Sequence, residues 1–397
     1  MLRESKGYSY QDLTIVPAQL SDINSRSEVK PYYENEIINK EILKSLGFRY
    51  KHTSESKYLL PIFGAPMGAV CNENNYDYFL SQGIRCVIPT TVDISTRIND
   101  LLQGRWVAFS INEVKEHIQH NLNNLAVIKH CPILHICVDC ANGHMKSLLT
   151  LCKMLKETAK LVGDCKIEIM TGNIANPDTI EDYCKADIDY VRVGIGGGSE
   201  CITATQTGVF YPLASLVSEC AYYADFYNLK YNTNLKVIAD GGIKNYNDVC
   251  KALGLGADYV MIGGLFMQCL EASAEVYKYN GFAGTYEKSD DIDIIKHSCD
   301  EKKKRELLPS LIEMKHLAYG MSSKLAQQKR GLETLKTSEG RQNYVPIKYT
   351  LKQWVENMDS YLRSAMSYTD SKQLKFFTDK TVEFVVNSPT VQNTINH

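Results

Sequence analysis

The sequence predicts a closed (β/α)₈ barrel, and three observations predict it. Eight short apolar, β-branched runs follow the N-terminal segment in one uninterrupted series, helix-like amphipathic stretches separate them, and polar or glycine residues gather at their C-terminal ends. At ~150 residues per domain the 397 residues allow one large domain or two or three small ones. The unbroken series favours a single domain, 1–397, with an insert and flap at 280–340 inside it.

The runs are YLLPIFGA (58–65), IRCVIP (84–89), WVAFSI (106–111), ILHICVD (133–139), KIEIMTG (166–172), DYVRVGIG (189–196), KVIADGG (236–242) and DYVMIGG (258–264). Each is apolar on both faces, as a buried parallel strand requires. Stretches 113–129, 144–162, 211–229 and 244–254 read as connecting helices, and 349–366 as the closing one. A doubly wound open sheet is the second choice; it normally has about six strands and a phosphate loop after the first, which is missing here. Beyond the eighth run, 280–310 is charged and weakly periodic and 319–346 is rich in Gly, Ser and Lys, so this region reads as a long mobile excursion.

Composition narrows the function. Forty-four basic residues against 46 acidic ones leave a formal net charge of -2, so no global field supports a nucleic-acid or anionic-membrane partner. No run approaches the ~20 apolar residues of a spanning helix, and MLRESKGYSY lacks a signal-peptide core, so a cytoplasmic protein is expected. Thirteen cysteines, an odd number in a long chain, read as reduced thiols, most of them small buried hydrophobes.

The runs end in Asp139, Gly172-Asn173, GIGGGSEC, Asp240-Gly241-Gly242 and Gly263-Gly264, at the face where a barrel builds its active site. Glycine ends after the seventh and eighth runs suit a phosphate, because backbone N–H groups can approach an anion there. The loop at 194–201 exposes backbone groups, either as donors to phosphate or as carbonyl ligands for a hard monovalent cation. Cys201 closes that loop with Ser199 and Thr203 beside it, a good setting for a nucleophile.

GIGGGSECIT resembles the purine-nucleotide oxidoreductase family of inosine monophosphate dehydrogenase and guanosine monophosphate reductase. So do Asp-Gly-Gly at 240–242, Gly-Gly at 263–264, YGMSS at 319–323 and SEG at 338–340. The likeness runs from YQDLTIVP (10–17) and NSRSEV (24–29) through LPIFGAPMGAV (60–70) and VDCANG (138–143) to SAMSYTD (364–370). Three features favour the reductase branch. One helix fills the gap between 65 and 84, where the dehydrogenase usually inserts regulatory domains; no Arg-Tyr pair occurs after position 50; and Ser338-Glu339-Gly340 follows closely on YGMSS.

The resemblance implies NADPH-dependent conversion of GMP to IMP and ammonia, with Cys201 attacking C2 and Thr203 and Glu339 relaying protons. It assigns Asp240 to the ribose, Ser199, Gly242, Gly263 and Gly264 to the phosphate, and Gly241 to the substrate without a named part. Gly320, Met321, Ser322, Ser338 and Gly340 are assigned to the base. The cofactor set is Ser25, Arg26, Asp139, Cys140, Ala141, Ile195, Gly196, Leu335, Lys336, Ser364 and Ser367. Potassium would sit on the carbonyls of Gly196, Gly198 and Cys201. Because Ser25 and Arg26 lie in the N-terminal segment, the dinucleotide would reach a neighbouring subunit of a homotetramer. The expected partner is a purine nucleoside monophosphate, with no nucleic acid and no membrane.

The chain departs from the family at Gly197, usually proline, at Ala204, usually basic, and at Lys336, usually arginine. Pro89-Thr90-Thr91-Val92 replaces a basic His-Lys-His-Tyr, which leaves NADH open beside NADPH. Two alternative functions are NAD-dependent oxidation of IMP to XMP and a nucleotide-binding protein without catalysis. Among other signals, Cys137 and Cys140 have redox spacing but would face opposite ways on a strand. His144 and His316 lack metal-ligand spacing and read as packing or surface residues. The basic run at 301–306 sits among acids and reads as a solvated face.

Overall fold

The computed structural model describes residues 7–34, 58–118, 133–162, 166–290, 296, 300–379, 381–388 and 392. After a short strand β1 (Leu13–Ile15), eight strands follow: β2 (Ile62–Gly64), β3 (Arg85–Cys86), β4 (Trp106–Phe109), β5 (Ile133–Asp139), β6 (Lys166–Ile174), β7 (Tyr190–Val193), β8 (Lys236–Asp240) and β9 (Tyr259–Ile262). One lies in each of the eight predicted runs. They pair in parallel in the order β3-β2-β9-β8-β7-β6-β5-β4. A parallel bridge from Ile88 to Val107 joins the two ends, with Ile88 N–H donating to Trp106 O at 2.9 Å and Ala108 N–H to Ile88 O at 2.8 Å. The sheet is therefore a barrel, and the open doubly wound alternative is excluded.

The missing apolar/polar alternation has a direct cause. Phe63, Trp106, Cys137, Met170, Ile238 and Met261 fill the barrel interior, while their strand neighbours pack outward against helices. Helices Lys146–Val162, Leu213–Tyr231, Tyr246–Gly254 and Leu351–Tyr368 cover that outer face. In the last of these, Thr350 and Gln353 form a capping box. Leu351, Trp354, Met358, Leu362 and Met366 recur every three or four residues as its buried stripe, each worth ~1.5–3 kcal/mol on burial. Of the predicted 113–129 helix, Ile111–Ile118 is helical and 119–129 lies outside the described residues.

The excursion after β9 carries secondary structure of its own. Strands β10 (Val276–Asn280), β11 (Thr285–Lys288), β12 (Met314–Tyr319) and β13 (Gln342–Pro346) form a four-stranded antiparallel sheet in the order β11-β10-β12-β13. It has its own small core of Leu270, Val276, Leu311 and Ile347. Helix Glu301–Leu307 is pinned from beneath: the fully buried Lys304 donates to Glu271 Oε1 at 2.8 Å and to Glu301 Oε1 at 3.3 Å, and its ammonium lies 4.3 Å from the Tyr78 ring centroid. The 301–306 run is thus not wholly a solvated face. Its charge pattern hid the single lysine that turns inward. Finally, β14 (Phe384–Val386) pairs antiparallel with β1 and ties the two ends of the chain together.

Candidate active site

The mouth at the C-terminal ends of the strands opens into a cleft of about 1660 Å³. Its centre is the loop after β7. Gly194 has φ +138°, and a Cβ there would lie 2.1 Å from Asp240 O, so the loop folds directly against the end of β8. Gly242 N–H completes this junction by donating to Gly197 O at 2.8 Å.

At the loop's end Cys201 is partly exposed. Its thiol donates to Thr203 Oγ1 at 3.2 Å, and the Thr203 hydroxyl donates to Glu339 Oε2 at 2.7 Å. The three predicted catalytic residues therefore form a continuous chain from sulfur to carboxylate. Cys201 also bridges to Gly340 in antiparallel fashion, with Ile202 N–H donating to Glu339 O at 2.8 Å. The Glu339 carboxylate thus faces the cysteine loop, held on the Thr203 hydroxyl.

A second network spans the mouth. Arg192, on β7 and buried, donates through Nη1 to Asp139 Oδ1 at 2.5 Å and through Nε to Asp240 Oδ2 at 3.0 Å. Asn173 Nδ2 donates to the same Asp240 oxygen at 2.7 Å and to Gly194 O at 2.9 Å. Burial works against the guanidinium's charge, but Asp240 and Asp139 outweigh it and hold its pKa above the ordinary arginine value. One cation thus joins the residue expected at the ribose to the residue expected at the cofactor. Sequence reasoning passed over Arg192, although a lone charge inside an apolar strand was its signal.

The flap is held by side chains that were also missed. Gln327 Nε2 donates to Ser322 O at 3.1 Å and Lys336 O at 3.2 Å, and its Oε1 accepts from Lys336 N–H at 2.7 Å, so one amide fastens both halves. Ser338 Oγ donates to Gly340 O at 2.5 Å. A Cβ on Gly320 would lie 2.7 Å from Glu200 O, which is why the flap can close on the cysteine loop only at glycine.

The predicted residues divide clearly. Cys201, Thr203, Glu339, Ser199, Asp240–Gly242, Gly263, Gly264, Gly320–Ser322, Asp139–Ala141, Ile195, Gly196, Gly198 and Lys336 all line the one cleft. Ser338 and Gly340 stand just behind its wall, and Leu335 is not on it. Ser25, Arg26, Ser364 and Ser367 lie elsewhere, where the N-terminal turn meets helix Leu351–Tyr368; Arg26 Nη1 donates to Ser360 Oγ at 3.4 Å. Glu200 is turned away from Cys201 toward Arg341, Ser199 and Asn343, and burial pushes its pKa up. Cys140 donates to Gly172 O, and burial with the Asp139 charge raises its thiol to about 11; Cys137, inside the barrel, is raised by burial to about 12. Neither is a redox partner of the other. His144 is packed rather than ligating: Nε2 accepts from Ala175 N–H at 3.0 Å, which leaves Nδ1 to donate to Thr179 Oγ1 at 2.9 Å.

Two implied groups can be tested against this geometry. A single-ligand pocket is roughly 300–1,000 Å³. The cleft exceeds this, continues past Cys201 to Thr90–Ile94, Asp139–Ala141, Lys329–Leu332 and Lys336, and has room for a dinucleotide beside a mononucleotide. Among the described residues no group of three His, Cys, Asp or Glu side chains can hold a metal. The glycine loop offers only neutral carbonyls, which suit a hard monovalent cation. Gly198 O accepts from Cys201 N–H at 3.1 Å and keeps its second lone pair.

Comparison with known proteins identifies the family of this barrel. Residues 60–394 match the family model described as "IMP dehydrogenase / GMP reductase domain". The chain is 33% identical over 252 residues to a protein named GMP reductase from Caenorhabditis elegans, covering 63% of this chain and 59% of that one. It is 34% identical over 242 residues to GMP reductase 1 of Homo sapiens, covering 60% and 58%. Over 383 residues it is 26% identical to GMP reductase of Shewanella pealeana, covering 94% and 92%. The match thus spans under two thirds of the first two relatives and nearly all of the third. On the fold, the cleft and the extent of the match, the chain belongs to the IMP dehydrogenase / GMP reductase family.

Proposed function

We propose that this protein is a GMP reductase, converting GMP to IMP and ammonia with NADPH as reductant. The observation that carries the reading is the chain Cys201–Thr203–Glu339, in which a thiol, a hydroxyl and a carboxylate stand in hydrogen-bond sequence at the cleft's centre. Thr203 and Glu339 take the thiol proton as sulfur bonds to C2 of the purine, then return a proton to the departing amine, so ammonia leaves neutral. The C2–N bond breaks and a thioimidate remains on Cys201. A bound reduced nicotinamide supplies the hydride that C2 then accepts. The C2–S bond breaks last, and the released thiolate takes a proton from solvent by way of Glu339 and Thr203.

Asp240, oriented by Arg192 and Asn173, would hold the ribose hydroxyls, and Ser199, Gly242, Gly263 and Gly264 the phosphate. Gly320, Met321 and Ser322, tied down by Gln327, would cover the base. Asp139, Cys140, Ala141 and Lys336 would face the dinucleotide, and the carbonyls of Gly196, Gly198 and Cys201 would hold potassium. Ser25, Arg26, Ser364 and Ser367 would serve a neighbouring subunit's cofactor in a homotetramer built from this single-domain barrel. No helix among the described residues is long and apolar enough to cross a membrane. The test is a screen of purine monophosphates with NADPH and NADH, reading nicotinamide absorbance and released ammonia. Loss of reduced nicotinamide with GMP supports the reading; NADH formation from IMP would replace it with the dehydrogenase.

A further inference from the structure

The relay depends on Glu339 reaching Thr203 from a distant part of the chain, and its backbone attachment to the cysteine loop is slight, although β13 beyond it is laddered on β12. Ile202 N–H donates to Glu339 O at 2.8 Å and Arg341 N–H to Glu200 O at 3.0 Å, one bond on either side of Cys201. Such a short bridge fixes its register weakly, and a one-residue slip would turn the Glu339 side chain to the opposite face.

Side chains supply what the bridge lacks. Arg341 Nε donates to Ser199 O at 2.8 Å and stands 3.9 Å from Glu200 Oε2. Glu200 is only 4% exposed, and that oxygen has no hydrogen-bond partner. A buried carboxylate in this state is costly unless a cation faces it. Gly320 N–H donates to Arg341 O at 3.1 Å, so the cysteine loop, the glycine at the start of the flap and the Glu339 segment all meet at this pair.

We propose that Arg341 and Glu200 form a clasp that sets the register of the Glu339 segment against the cysteine loop. They are positioning residues: neither belongs to the sulfur-to-carboxylate chain, and both act by keeping Glu339 on Thr203. The proposal rests on the reductase reading for its kinetic consequence but not for its structural one. Without the guanidinium, the bridge across Cys201 would remain but could slip, and proton delivery to the leaving amine would fail more often than nucleotide binding does.

The test uses the full chain with Arg341→Ala, Arg341→Lys and Glu200→Gln, read by steady-state kinetics and by hydrogen exchange of peptides covering 199–203 and 338–342. Arg341→Ala is expected to lower kcat by about tenfold to a hundredfold, the scale of a misplaced catalytic group, with little change in KM for GMP. Exchange should quicken in both peptides, and Arg341→Lys should recover part of each loss. If Arg341→Ala does not fold, Glu200→Gln decides by the same readings. Wild-type kcat together with wild-type exchange in these variants would overturn the clasp. A wild-type protein that turns over no purine nucleotide would overturn the reductase reading, and the exchange data would then judge the clasp alone.

Discussion

The Thr203 hydroxyl donates to Glu339 across 2.7 Å although the two residues are 136 positions apart in sequence. That contact joins the loop after β7 to the far end of the flap and makes Thr203 the middle of the relay. Thr203→Val, which keeps the shape and removes the hydroxyl, should lower kcat by roughly 10²–10⁴ while the melting-temperature rise caused by GMP persists. Cys201→Ala should abolish turnover and keep the same rise. Turnover at the wild-type rate in either variant would remove the relay from the mechanism.

Arg192 makes a different demand, because it neutralises two carboxylates at once. Arg192→Ala would leave Asp139 and Asp240, both mostly buried, facing each other without their cation. Deleting one partner of a buried pair costs ~3–5 kcal/mol, and the partial exposure of the aspartates puts this site at the lower end. A fall in melting temperature and a raised KM for GMP should appear together. Arg192→Lys should regain stability more than binding, since an ammonium cannot reach both carboxylates as a planar fork does.

Acid should unfold the protein partly through His316. The ring is fully buried on β12, with Nδ1 against Met267 O at 2.7 Å and Nε2 unpartnered. Burial first, and the nearby Lys296 charge second, depress its pKa to about 3. The unfolded chain, with an ordinary histidine pKa near 6.5, binds this proton before the folded one does. Stability from this group is therefore whole above about pH 6.5 and falls with pH through the window down to about 3, by ~1.4 kcal/mol per unit at most. Denaturant melts of His316→Gln against wild type across that window should show a shallower acid slope in the variant. Equal slopes would acquit the histidine.

The barrel was legible because its strands are buried on both faces, which leaves unbroken apolar runs, and because their polar ends mark one rim. Cys201, Thr203 and Glu339 were legible from a glycine loop and a family likeness. Arg192, Gln327 and Arg341 were not, since Gln327 acts on backbone groups 5 and 9 residues away across a folded-back flap, and Arg192 and Arg341 act through partners 48 to 142 residues away that only the fold brings near. Lys304 was hidden for another reason. Its neighbours Lys302, Lys303 and Arg305 are exposed, and the sequence does not tell which member of a charged run points inward.

That lysine makes the insert part of the barrel's stability. Lys304→Met would leave Glu271 buried with a lost cation, a change worth about 3–5 kcal/mol, whereas Lys304→Met with Glu271→Gln should cost clearly less than the sum of the two singles. Urea melts of the four proteins give the coupling directly. Strict additivity would mean that the pair does not act as a unit.

Burial and raised thiols set eight of the described cysteines apart from the partly exposed Cys201. Cys86, Cys137, Cys152, Cys184, Cys220, Cys250 and Cys269 are buried with thiols raised by desolvation, and the half-buried Cys140 is raised to about 11. Alkylation needs the thiolate and access, so iodoacetamide near pH 8 should modify the peptide carrying Cys201 well before those carrying these eight. GMP bound over the loop should slow that reaction, and Thr203→Val should change its rate, because the thiol loses its hydrogen-bond acceptor. The competing outcome is label on Cys140 first. It would mean that the Asp139–Arg192 side of the cleft opens further in solution than its hydrogen bonds allow, and that the cofactor face, not the cysteine loop, is the reactive one.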